Sequence, residues 1–149
     1  MSAMTRFLAV LATLAVGGLI AMQPPVNSEL GKRTSVLGAA FISTAVSALV
    51  LFVLALAAGE LHQVRRVPHV SLVYLTGGLL GAALVSVSLV TVRTLGASGV
   101  VAATVTSQLV VSAVLDRLGV LGLDRVGLSA TRLLGMALLL GGTALVTAR

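Results

Sequence analysis

Apolar residues fall in long unbroken runs along this chain, and charges stand almost only between the runs. Phe7 to Ser28 is an uncharged stretch of 22 residues, Thr34 to Gly59 of 26, Val67 to Val92 of 26 and Thr94 to Leu115 of 22. A fifth, Leu133 to Ala148, has 16 residues, or 23 if it begins at Val126 and tolerates Arg132. A helix rising ~1.5 Å per residue needs about 20 residues to cross ~30 Å of hydrocarbon. Strands of a membrane barrel would alternate apolar and polar positions instead. The pattern therefore predicts an all-α integral membrane protein with five transmembrane helices, at about 5–30, 35–58, 69–92, 98–118 and 128–148. Pro24-Pro25 interrupts the first. The joints are short, so successive helices are expected to be antiparallel neighbours within a single transmembrane domain spanning 1–149.

Composition narrows the function. Hydrophobic residues make up 58% of the chain and charged ones 9%, against about 25% charged in a soluble domain. No length remains for an extramembrane enzyme domain, and no H-E-x-x-H or G-x-S-x-G motif occurs. The chain reads as a non-enzyme. The net charge of +6 comes from basic residues at the ends of apolar runs, where they anchor helices to headgroups. It is not a nucleic-acid footprint. With no cysteine, thiolate metal sites are excluded, and His62 and His69 have no third ligand at suitable spacing. Neither metal nor cofactor is expected. Arg6 and the run after it could pass for a secretory signal, but the run is long and ends without a clean cleavage site, so it is read as a retained helix.

Charges and glycines bear on topology and assembly. The N-terminus and the second and fourth joints hold six basic residues: Arg6, Arg65, Arg66, Arg117, Arg125 and Arg132. The opposite side holds four, Lys32, Arg33, Arg93 and Arg149, and with acidic residues subtracted each side carries +3. The positive-inside rule hardly distinguishes the two orientations, so insertion both ways round is an open reading. Gly17-Gly18, Gly77-Gly78, Gly81, Gly135 and Gly141-Gly142 place small residues where helices could approach closely. Either packing within one chain or a seam between two would use them.

Few side chains could carry chemistry. Pro24 and Pro25 cannot donate to the carbonyls of Ile20 and Ala21. Gln23 and Asn27 lie one helical turn apart beside those carbonyls. Broken helices with freed carbonyls are where many transporters bind solutes, although a plain helix end at the interface would look the same. In the fourth helix Thr104, Gln108 and Ser112 recur every four residues towards Asp116. Gln108 stands near mid-span, where an amide is costly unless paired. It is either glue between helices or a solute contact. No charged residue lies near the centre of a span, and aromatic residues are too scarce for a cation cage.

Several local sequences, taken in order, carry a resemblance. The first helix ends in Gln23-Pro24-Pro25-Val26-Asn27-Ser28-Glu29-Leu30-Gly31, and the third begins Tyr74-Leu75-Thr76-Gly77-Gly78-Leu79-Leu80-Gly81. The fourth carries Ser107-Gln108-Leu109-Val110-Val111-Ser112 and then Asp116-Arg117-Leu118-Gly119. The fifth has Arg132-Leu133-Leu134-Gly135 and Gly141-Gly142. Over almost its whole length the chain resembles the YdcZ-type five-helix family of the drug/metabolite transporter superfamily. Two departures from the family pattern are Ser107, where a glycine is expected, and Arg117-Leu118 in place of an aromatic-containing turn. The resemblance implies half of a ten-helix inverted-repeat transporter in the bacterial cytoplasmic (inner) membrane. It implies an antiparallel homodimer, or a heterodimer with a sister five-helix protein. The family pattern maps onto Gln23, Asn27 and Gln108; with the nearby Thr104 and Ser112 these would meet a small polar or amphiphilic solute in a cavity that rocks between two open states. A non-transporting accessory or scaffold subunit is the rival reading.

Overall fold

The computed structural model describes residues 3–122 and 124–148, and within these the chain is helical with no strand. The elements are α1 (Ala3–Ala21), α2 (Gln23–Arg33), α3 (Val36–Ala57), a 3-10 segment (Leu61–His69), α4 (Leu72–Leu118) and α5 (Ala130–Thr147). Four stretches among the described residues are long and apolar enough to cross a membrane: Met4–Arg33, Val36–Ala57, Leu72–Leu118 and Ala130–Thr147. The residues up to Arg93 form one compact unit and those from Thr94 onward a second.

Local chemistry explains each boundary. α1 ends in a tightened turn, with the Met22 N–H donating to the Leu19 carbonyl at 3.1 Å. α2 then starts at Gln23, before the prolines rather than after them, with Pro24 and Pro25 in its first turn. There the missing N–H groups would have had no helical acceptor anyway, and the fixed φ already suits a helix. The expected interruption is therefore a restart one residue upstream. Lys32 and Arg33 close α2, where cations complement the helix dipole. Ser35 caps α3, its hydroxyl accepting from the Gly38 N–H at 2.9 Å. At the far end of α3, Gly59 takes φ +71°. The Glu60 N–H reaches the Ala55 carbonyl at 2.9 Å and the Gly59 N–H the Leu56 carbonyl at 3.0 Å, the paired bonds of a glycine-terminated helix.

α4 departs furthest from expectation. Its 47 residues are more than twice the length of a span, and helical geometry fails at Gly96, with φ 70° and ψ 171°. A side chain would make that conformation costly, so glycine is the residue that permits the break. It falls inside the joint expected between the third and fourth helices.

In the first unit, one face of α2 packs against both α3 and the Leu89–Arg93 stretch of α4. Ala39 and Leu89 are fully buried, and Ala40, Val92, Pro24, Asn27 and Ser28 are also buried. A side chain on Gly31 would meet Leu89 Cδ2, Arg93 Nη2 and Ala39 Cβ, so the glycine sets how near α2 can come. In the second unit the contact between α4 and α5 runs through Thr106, whose hydroxyl lies 2.6 Å from that of Thr143. Thr143 also donates to the Ala102 carbonyl at 3.2 Å. Valine at either position keeps the shape and removes the bond. A Thr106→Val, Thr143→Val double-mutant cycle read by denaturant unfolding should give a coupling of about 0.6 kcal/mol, the usual worth of such a bond in a membrane.

By contrast, Gly17, Gly18, Gly77, Gly78, Gly81, Gly135, Gly141 and Gly142 have nothing within 4 Å of where a Cβ would stand. Packing within each unit does not use the glycine pairs that the sequence singles out.

Candidate functional site

Gln23 and Asn27 belong to the first unit. Gln23 is the first residue of α2 and is exposed, whereas Asn27, one turn further on, is only 5% exposed. Ser28 beside it is equally buried, and it is there that the sequence reading is incomplete. Arg93 donates from Nε to the Ser28 hydroxyl at 3.0 Å and from Nη2 to the Ser28 carbonyl at 3.3 Å. Together Pro25, Ser28, Glu29, Lys32, Val92 and Arg93 line an open cavity of about 550 Å³. Glu29 is tied to its own helix, with Oε2 2.8 Å from Lys32 Nζ and Oε1 3.8 Å from Arg33 Nε.

Thr104, Gln108 and Ser112 belong to the second unit. Thr104 is half-buried, and Gln108 and Ser112 are exposed. The buried polar residue of this stretch is Thr106, two positions from Thr104 and on another face. Ser107 spends its hydroxyl on the Thr104 carbonyl at 2.9 Å, as hydroxyls within helices often do. Ser112 lines a cavity of about 250 Å³ with Leu109, Ala113, Asp116, Arg132, Gly135, Met136 and Leu139. Within it Arg132 Nη1 lies 3.3 Å from Asp116 Oδ2. That pair explains how an apolar run accommodates Arg132: the residue sits in the first turn of α5, opposite a carboxylate. Among the described residues no group of three His, Asp or Glu side chains could hold a metal ion.

Two signals could have disclosed more. Gly99, Ala102 and Thr106 form a line of small residues at helical spacing, the kind of face along which membrane helices associate. Arg93 is the single charge between uncharged runs of 26 and 22 residues, though its attachment to Ser28, 65 residues away, follows from no local pattern.

The four apolar stretches define a multi-pass, all-α membrane protein. Residues 8–145 match the DMT_YdcZ family, described as "Putative inner membrane exporter, YdcZ", and the chain belongs to that family. It is thus a multi-pass inner membrane protein. No curated protein and no solved structure matches the chain.

Proposed function

We propose that this chain is one half of an exporter for small polar or amphiphilic solutes, completed by a second copy in the inverted orientation. The observation that carries the reading is Gln108. It lies about midway between the break at Gly96 and the end of α4, and its amide is exposed. Lipid offers an amide no partner, so at that depth it must face protein or a water-filled cavity. A second chain would supply both. In this arrangement the break at Gly96 divides α4 into two spans, giving five per chain and ten per pair within one transmembrane domain each.

Other features fit. The family description names an inner membrane exporter, the two sides carry equal net charge, and within each unit the glycine faces leave room for an incoming helix. On this reading the solute meets the polar residues of each unit, Gln23 and Asn27 in the first and Thr104, Gln108 and Ser112 in the second, as the two halves of the pair rock.

Flux tests the proposal. Purified protein in liposomes should move at least one member of a panel of labelled metabolites and cationic or anionic drugs. Asn27→Ala and Gln108→Ala should each slow that flux about tenfold or more, the cost of a solute contact left unmade, while cross-linking still traps dimers. No flux from the wild type, with both variants altering assembly instead, would favour an accessory subunit.

A further inference from the structure

We propose that Arg93, Ser28 and Lys32 form a binding site for an anionic oxygen group, a carboxylate or a phosphate, in the cavity beside α2. The inference deepens the transport reading and rests on it only for the anion's role as a solute; the site itself is a matter of binding.

Three observations converge. First, Arg93 is held rather than free. Its Nε and Nη2 are bonded to Ser28, a residue only 5% exposed, so the guanidinium is drawn towards the body of α2. Arg93 stays exposed to solvent while these bonds fix its head against α2. The Ser28 bonds leave further N–H groups of the guanidinium unused, and its planar fork matches a carboxylate or phosphate edge. A donor fixed in advance loses less entropy when an anion arrives.

Second, charge at the cavity is unbalanced. Lys32, Arg33 and Arg93 surround one carboxylate, Glu29, which is engaged by Lys32 and Arg33. Among the described residues no carboxylate lies within ion-pair distance of Arg93. Glu29 lines the same cavity and acts on Arg93 only at longer range, so an anion in the cavity would give the guanidinium a direct counter-charge. Lys32 lines the same cavity and presents a second cation to it.

Third, space has been kept. The cavity measures about 550 Å³, and Gly31 leaves room for Arg93, whose Nη2 would stand 3.2 Å from a Cβ at that position.

The anion could come from a solute or from a lipid headgroup, and the test separates them. In an uncharged detergent, inorganic phosphate and acetate should raise the unfolding temperature of the purified protein, and chloride at matched ionic strength should not. Arg93→Gln should weaken binding of both anions about tenfold or more. Arg93→Lys should recover only part, lacking the fork. Lys32→Gln, at an exposed position that cannot compromise folding much, should also weaken it. In phosphatidylcholine nanodiscs the phosphate effect should persist. If adding phosphatidylglycerol abolishes it, the headgroup is the native anion; if it does not, a solute is. An equal shift with chloride, no shift at all, or unchanged binding in both Arg93→Gln and Lys32→Gln would overturn the site. Phosphate binding without flux of any solute would leave the site standing and remove the transport reading instead.

Discussion

Gly31→Val is expected to destabilise the protein by about 1–3 kcal/mol, the usual cost of forcing extra methyl groups into a filled contact. A Cβ at position 31 already comes within 3.1 Å of Leu89 Cδ2, 3.2 Å of Arg93 Nη2 and 3.6 Å of Ala39 Cβ. Valine adds two methyl groups beyond that point, and its stiff χ1 leaves them little choice of direction. Leu89 and Ala39 are fully buried and cannot yield freely. The most mobile neighbour is the Arg93 head, so the variant should also break its bonds to Ser28. Gly31→Ala should be nearly neutral. It gains up to about 1 kcal/mol of helix propensity against a shift of a few tenths of an ångström. Gly127→Val is the control, because a Cβ there meets nothing within 4 Å and the position lies outside the glycine faces of the helices. Unfolding in a denaturing detergent measures all three, and wild-type stability in Gly31→Val would mean that α2 does not pack as described.

That contact matters more in a bilayer than its size suggests. Burying Leu89 in protein rather than lipid gains almost no hydrophobic transfer energy, since lipid tails are equally apolar. What holds α2 against α3 and the Leu89–Arg93 stretch is close fit together with the polar bonds of Arg93. Small residues at the contact, Gly31, Ala39 and Ala40, allow that fit. The same reasoning applies in the second unit, where Gly99, Ala102 and the Thr106–Thr143 bond bring α4 and α5 together.

Much of this was legible from hydrophobic runs alone. Uncharged runs of 22 to 26 residues leave few alternatives to spanning helices, and α3 begins and ends within a residue of the expected 35–58. The prolines pointed to the break in the first span, but not to its register. Propensity rules mark Pro24 and Pro25 as breakers, whereas a helix that restarts at Gln23 simply absorbs them in its first turn. The joint at 93–97 was visible as a charge between apolar runs, yet only the backbone at Gly96 locates where helical geometry fails.

The polar residues were harder to read. Four-residue spacing selected Thr104, Gln108 and Ser112, because a helix places such positions roughly on one face. That face drifts with each turn, and the buried hydroxyl turned out to be Thr106, opposite Thr143. Arg93 looked like an anchor because helix-end arginines commonly are. Its bonds to Ser28 depend on how α2 and α4 pack, which no local spacing encodes. Of the two amides beside the proline break, Asn27 is buried and Gln23 is exposed, a difference that their shared spacing does not encode.

The central claim is that one chain is half of an inverted pair. Six basic residues against four give neither orientation a strong advantage during insertion, and in the proposed pair the second copy covers the exposed Gln108. Because the chain contains no cysteine, a single His62→Cys substitution gives an unambiguous reporter at an exposed position in the 3-10 segment. Intact cells would be treated with a membrane-impermeant maleimide, then permeabilised and treated with a second, distinguishable one. Two populations of comparable size are expected, one labelled from outside and the other only after permeabilisation. A single population, wholly on one side, would contradict assembly from two inverted copies of this chain.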